Sequence, residues 1–236
     1  MAKRPTLYLL PGLLCDAYTY AHQQRALESE FDIRVLDFFG LDSMTGMAER
    51  VLNDAPERFS VCGFSMGGRV ALQILRLAPE RVERLCLLDT GVTPVAAGEA
   101  EKRQVLVDLA YKDGMDALIN AWLPPMLHPD RRTDPAFRGP LSDMVRRASP
   151  EIFEKQIHAL LGRADAWPLL PTINIPTVVA VGRQDEWSTV AQHEDFAKLI
   201  PNAKMTVIED SGHFTPVEQP DALTAILRDM MAINAA

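Results

Sequence analysis

The sequence predicts an α/β protein: a doubly wound, mostly parallel six-stranded sheet of order 2-1-3-4-5-6, with a helical cap inserted between strands 4 and 5. Three observations predict it. Six short apolar runs have strand length, and most end in Gly or Asp. Their hydrophobicity is nearly continuous, as in strands buried on both faces. Segments of helical period alternate with them, which implies a parallel sheet covered on both sides and joined by right-handed crossovers.

Taken in order, the runs are Thr6–Leu10, Ile33–Phe38, Phe59–Cys62, Leu85–Leu88, Thr177–Val181 and Lys204–Ile208. The intervening helices start and stop at recognisable signals. Ala48–Asn53 follows Ser43 and Thr45 and ends before Pro56. Met66–Leu77 sets Val70, Leu72, Ile74, Leu75 and Leu77 on an apolar side and ends at Pro79. Thr189–Ile200 begins after Ser188, the expected N-cap, and ends at Pro201. Asp221–Ile233 carries Leu223, Ile226, Leu227 and Met230 at helical spacing.

From about Val95 to Pro171 the alternation stops and no strand is read. Helices are expected at Glu99–Tyr111, Met115–Leu123 and Glu151–Leu161. The last has Ser149 as N-cap, Pro150 in its first turn and Gly162 past its end. This apolar, proline-bearing stretch reads as a cap over the sheet's edge. The expected division is residues 1–94 with 172–236 as core and 95–171 as cap, one domain overall.

Composition bounds the function. The chain of 236 residues has 24 Lys+Arg against 32 Asp+Glu, net −8, and no basic cluster, which disfavours binding to phosphate backbones. Cys15, Cys62 and Cys86 form no close pair and no zinc-ligand spacing, so neither a disulfide framework nor a metal or other cofactor is expected. No run approaches the ~18 apolar residues of a membrane span, and the apolar run after Met1–Pro5 is too short for a signal peptide. A cytoplasmic protein, monomer or homodimer, acting on a small molecule is the expectation.

The sharpest local signal is Gly63-Phe64-Ser65-Met66-Gly67, a match to G-x-S-x-G. The pentapeptide alone is a common chance match. Here it follows a strand and opens a helix, the setting of a tight turn that lifts the serine above the sheet in a strained conformation. The helix N-terminus beneath it adds partial positive charge where an oxyanion forms. A serine needs a base. Of His22, His128, His158, His193 and His213, only His213 follows the last strand, in Asp210-Ser211-Gly212-His213, at an end where α/β sheets bind ligands. His22, His158 and His193 read as structural, and His128 falls in the insertion. The base needs an orienting acid. Asp185, in Val181-Gly182-Arg183-Gln184-Asp185, follows the fifth strand and gives the order Ser…Asp…His; Asp89 after the fourth strand is the rival, with Glu186 behind it. Two backbone donors complete the set. Met66 supplies one N–H. The Leu10-Pro11-Gly12-Leu13-Leu14 loop supplies the other, through Leu13, with Leu14 as the alternative.

These residues resemble the α/β-hydrolase superfamily, in its serine-nucleophile, esterase- and lactonase-like branch. The resemblance spans the chain: Leu9-Leu10-Pro11-Gly12, Gly63-Phe64-Ser65-Met66-Gly67-Gly68, Pro79-Glu80-Arg81-Val82, Val181-Gly182-Arg183-Gln184-Asp185 and Ser211-Gly212-His213. It implies a fold and a triad rather than one activity. The first strand here matches the family's third, and Pro11-Gly12 stands where many members carry His-Gly. Branches that use an aspartate nucleophile, the haloalkane dehalogenases and epoxide hydrolases, are excluded by Ser65. Phe64–Arg69 also resembles the elbow of a menaquinone-pathway synthase of the superfamily, which eliminates rather than hydrolyses. The expected activity is therefore cleavage of a small carboxylic ester or lactone through an acyl-enzyme. A lyase or synthase, a C–C bond hydrolase and a silent binding pocket are the alternatives. Leu14, Trp122, Leu123, Met126 and Leu127 are expected to wall an apolar substrate pocket. Arg69 and Arg183 are the cations nearest its mouth in sequence; one facing inward would suit a substrate carboxylate.

Overall fold

A computed structural model of the chain describes residues 4–234. Six strands form one sheet: β1 (Thr6–Leu10), β2 (Asp32–Val35), β3 (Phe59–Phe64), β4 (Val82–Leu88), β5 (Thr177–Gly182) and β6 (Lys204–Ile208). Every neighbouring pair is parallel, in the order β2-β1-β3-β4-β5-β6. The register sets Leu9 beside Cys62, Cys62 beside Cys86 and Leu87 beside Val179. All residues of β1, β3 and β5 are buried, whereas β2 and β6, at the two edges, are mostly half-exposed. That contrast is why the central runs read as continuous hydrophobicity.

Helices α1 (Ala21–Leu27), α2 (Met44–Asp54), α3 (Met66–Leu77), α8 (Val190–Ala197), α9 (Thr215–Glu218) and α10 (Pro220–Ala232) belong to the sheet's crossovers and flanks. Helices α4 (Glu99–Asp113), α5 (Met115–Trp122), α6 (Pro135–Arg146) and α7 (Pro150–Leu161) lie between β4 and β5 as a helical insert. Within it α4 packs on α5 and α7, and α5 on α6. The expected core and cap boundaries include residues 1–3 and 235–236, which lie outside the described residues. Among the described residues no helix is long and apolar enough to cross a membrane.

The structure departs from the sequence expectations at particular places. β2 begins at Asp32 and stops at Val35, short of Phe38, because its partner β1 is only five residues long and their pairing ends at Leu9↔Val35. Phe38 leaves the sheet yet is fully buried. The cap of α8 is Thr189 rather than Ser188: its hydroxyl accepts from Gln192 N–H while the Gln192 side chain accepts from Thr189 N–H. Helices α1 and α6 lie outside the segments whose sequence carries a helical signal. The first is short and mostly polar, held by Gln23, whose side-chain amide donates to the carbonyls of Pro216 and Pro220. The second runs through Gly139-Pro140, a pair that ordinarily breaks a helix, and is started instead by Asp134, which caps Ala136 N–H at 2.9 Å.

Candidate active site

Ser65 sits at the turn between β3 and α3 with φ 53° and ψ −116°, a conformation that costs about 1–3 kcal/mol and persists only where its surroundings enforce it. Three bonds enforce it. Ser65 N–H donates to Leu88 O at 2.9 Å, and Ser65 O accepts from Gly68 N–H at 3.0 Å and from the Thr90 hydroxyl at 2.6 Å. The turn also needs Gly67, where a Cβ would stand 2.1 Å from Leu10 O.

His213 Nε2 lies 2.8 Å from Ser65 Oγ, and its Nδ1 lies 2.7 Å from Asp185 Oδ2. The second contact makes Nδ1 the protonated nitrogen and leaves Nε2 to accept the serine proton. Asp185 Oδ1 accepts from the N–H groups of Trp187 (2.8 Å) and Ser188 (2.9 Å), so the carboxylate is held on both oxygens. Both His213 and Asp185 are buried. The structure thus brings residues 65, 185 and 213 together from three strand ends.

Asp89, the rival acid, turns elsewhere. Its Oδ1 accepts from Gly182 N–H at 2.8 Å, tying the end of β4 to the end of β5. Burial, and then the nearby Asp185 charge, hold its carboxyl well above the ordinary carboxylate range. Glu186 pairs with Arg132. His193 is a buried strut: Nε2 accepts from Thr90 N–H at 3.0 Å, Nδ1 donates to Thr189 O at 3.0 Å, and burial pushes its pKa down to about 4.

Leu13 N–H and Met66 N–H find no acceptor among the described residues, and both residues line the cavity beside Ser65. Leu14 N–H is taken by Gln156 Oε1 at 2.8 Å, so Leu14 is not available as a donor. The cavity measures about 370 Å³. Of the expected wall residues, Trp122 and Met126 line it, but Leu14, Leu123 and Leu127 do not. Those three are fully buried, turned into the packed interior by the left-handed backbone at Leu14 and by the 3₁₀ turn Pro124–Met126 between the other two. The wall is completed by Phe153, Ile157 and Leu160 from α7, and by Cys15, Phe64 and Phe214. The α7 residues are spaced at four and three, a stripe visible in the sequence without any sign of what it faced.

The two arginines part company. Arg183 is exposed and bound to Glu209. Arg69 lines the cavity, and burial pushes its pKa down to about 9, which leaves it cationic at neutral pH. His128 is buried in the insert, its Nδ1 accepting from Asp130 N–H. Its backbone N–H donates to Glu218, whose carboxylate also accepts from Gly212 N–H and Arg131. Together with His213 N–H on Met126 O at 2.7 Å, this carboxylate joins the His213 loop to the insert. Nothing in the sequence singled out Glu218. Among the described residues no group of His, Cys, Asp and Glu side chains is arranged to hold a metal ion.

A strained strand-to-helix serine, an acid–histidine pair and an open pair of backbone donors over a parallel sheet define a class of protein, and comparison with known proteins agrees. The profile described as "Alpha/beta hydrolase family" matches residues 7–226, and the chain belongs to that family. It is similar to 3-oxoadipate enol-lactonase 2 of Acinetobacter baylyi, 29% identical over 72% of this chain and 62% of the relative. It is also similar to a putative 2-succinyl-6-hydroxy-2,4-cyclohexadiene-1-carboxylate synthase of Bacillus subtilis, 25% identical over 74% of this chain and 66% of the relative. The chain therefore aligns with slightly less than two thirds of either relative's length. Among solved structures, a thermophilic esterase from Thermogutta terrifontis with malate bound superposes with a TM-score of 0.87 at 26% identity, covering 97% of this chain and 90% of that one.

Proposed function

We propose that the protein is a serine hydrolase that cleaves a small carboxylic ester or lactone through an acyl-enzyme. The observation that carries this reading is the pair of contacts, 2.7 Å and 2.8 Å, linking Asp185, His213 and Ser65 at the wall of the cavity. The enol-lactonase and esterase relatives support the same bond class.

In this mechanism Ser65 Oγ attacks the carbonyl carbon as His213 Nε2 takes its proton. The charge on the carbonyl oxygen meets Leu13 N–H and Met66 N–H at the start of α3; such a donor is worth about 3 kcal/mol in the transition state. Asp185 holds the ring and stabilises the imidazolium. His213 returns the proton to the leaving oxygen, which departs from an ester and stays tethered in a lactone. Water, activated by His213, then releases the acid and restores Ser65. Residues 95–171 act here as a cap, supplying the apolar wall that shields the acyl part over the core formed by 1–94 and 172–236.

Ser65→Ala tests the reading. Turnover of p-nitrophenyl acetate should fall by about 10⁵-fold or more, and labelling by a fluorophosphonate should vanish. Labelling that persists in the variant would remove Ser65 from the role. A wild-type protein that resists the probe and leaves esters intact would favour a non-hydrolytic synthase, the class of the Bacillus subtilis relative.

A further inference from the structure

One wall of the cavity holds charge that the hydrolytic mechanism does not use. Arg69, Lys102 and Arg103 all line it, with Arg163 behind them, against a single carboxylate, Glu99. Glu99 is already saturated. Its Oε1 accepts from Arg103 Nε (2.8 Å) and Arg163 Nη1 (2.7 Å), and its Oε2 from Arg163 Nη2 (2.6 Å) and Ala96 N–H (3.1 Å). Asp195, beside the small annexe of about 140 Å³ that Arg69 also lines, pairs with Lys198. Three cations in the wall and a fourth behind it, against one engaged carboxylate in a chain of net charge −8, form a local positive field at the site.

Arg69 is the centre of it. Among the described residues its one hydrogen bond runs from Nη1 to Thr93 O at 2.9 Å, and no carboxylate lies within ion-pair distance. The Nε and Nη2 edge is without an acceptor, and that edge is the fork that grips a carboxylate in two parallel bonds. Gly91 makes room for it, since a Cβ there would stand 2.8 Å from Nη2. A guanidinium held in a cavity wall without a counter-charge is costly unless a ligand supplies one. The Lys102 ammonium makes no ion pair or hydrogen bond among the described residues and adds an unspent charge at the mouth.

We propose that Arg69, with Lys102 beside it, is an anion subsite of this cavity, and that the substrate is an ester or lactone carrying a free carboxylate that docks there while its carbonyl sits at Ser65. This rests on Ser65 acting as the nucleophile. The test compares monomethyl glutarate with dimethyl glutarate. The wild type should favour the half-acid. Arg69→Met should lower the ratio of kcat/KM for half-acid over diester by about 10- to 100-fold, and Arg69→Lys should restore part of it. An unchanged ratio in Arg69→Met, or no preference in the wild type, overturns the subsite while fluorophosphonate labelling still reports on Ser65. If neither ester is cleaved, glutarate binding decides by thermal shift. Glutarate should raise the Tm of the wild type and not of Arg69→Met. The absence of that difference, or equal stabilisation by inorganic phosphate, defeats the carboxylate assignment.

Discussion

At the scale of single residues, two buried aspartates lie close together with opposite duties. Asp185 is gripped by its surroundings: two N–H groups on one oxygen and the His213 ring on the other. Asp89 has one N–H donor, from Gly182, and is held above the ordinary carboxylate range by burial and by its neighbour's charge. Asp185→Asn should cost about 10³–10⁴-fold in kcat, because asparagine presents the wrong partner to Nδ1–H or forces the other tautomer. Asp89→Asn keeps an oxygen for Gly182 and should leave kcat within about tenfold, well inside the triad loss. Its mark is on stability. A carboxyl whose folded pKa is raised binds its proton more tightly than the unfolded chain does, so stability falls as pH rises above the unfolded value near 4. Asparagine escapes that loss. Asp89→Asn should melt at a higher temperature than wild type at pH 7.5 and at nearly the same temperature at pH 4. Parallel melting curves would show that Asp89 carries no such burden.

Among the elements, the loop after β6 is held from two sides. Its general-base candidate, His213, is fixed by the insert as much as by the sheet, through Met126 O and through the Glu218 carboxylate. Both carboxylate oxygens face donors: Gly212 N–H on Oε1, His128 N–H and Arg131 on Oε2. Glu218→Gln must turn an amide N–H₂ toward one of those donors, leaving a buried clash of donors worth about 1–3 kcal/mol. The expected result is a lower kcat with KM little changed and slower fluorophosphonate labelling, since the ring would lose its fixed place opposite Ser65. A drop in Tm with kcat within twofold would confine Glu218 to holding the fold together. Such contacts explain what could and could not be read beforehand. The six strands and α3 were legible because burial on both faces, or on one stripe, writes itself into composition and period. Helix α6 was hidden by Gly139-Pro140, whose cost is met by a capped start and by packing on α5. Ser65, Asp185 and His213 were legible as candidates because each follows a strand. The cavity wall was only half legible. Trp122 and Met126 announced themselves by size, but the choice between Leu123 and Leu160 depends on which way a turn faces, and that is settled by tertiary packing.

For the molecule as a whole, the strut at His193 links acid stability to the geometry of the site. This ring joins α8 to the end of β4: it accepts Thr90 N–H, and Thr90 in turn donates to the carbonyl oxygen of Ser65. Phe196 stands beside it with ring centroids 5.0 Å apart, and among nearby charges Asp185 favours the protonated ring while His213 opposes it. Protonating Nε2 would set a proton against Thr90 N–H, so the folded state resists it, and burial holds the pKa at about 4 against an ordinary 6.5. Between those values the unfolded chain binds a proton that the folded chain refuses. Stability is therefore complete above about pH 6.5 and is lost as pH falls toward 4, by on the order of 3 kcal/mol at about 1.4 kcal/mol per pH unit. His193→Gln places an amide oxygen where Nε2 stood and has no charge to gain. Its Tm should fall less than that of wild type between pH 6.5 and 4.5, and the two curves should run parallel above pH 7. If the two proteins lose stability in parallel across that interval, the acid sensitivity belongs to other groups and the strut is neutral in it.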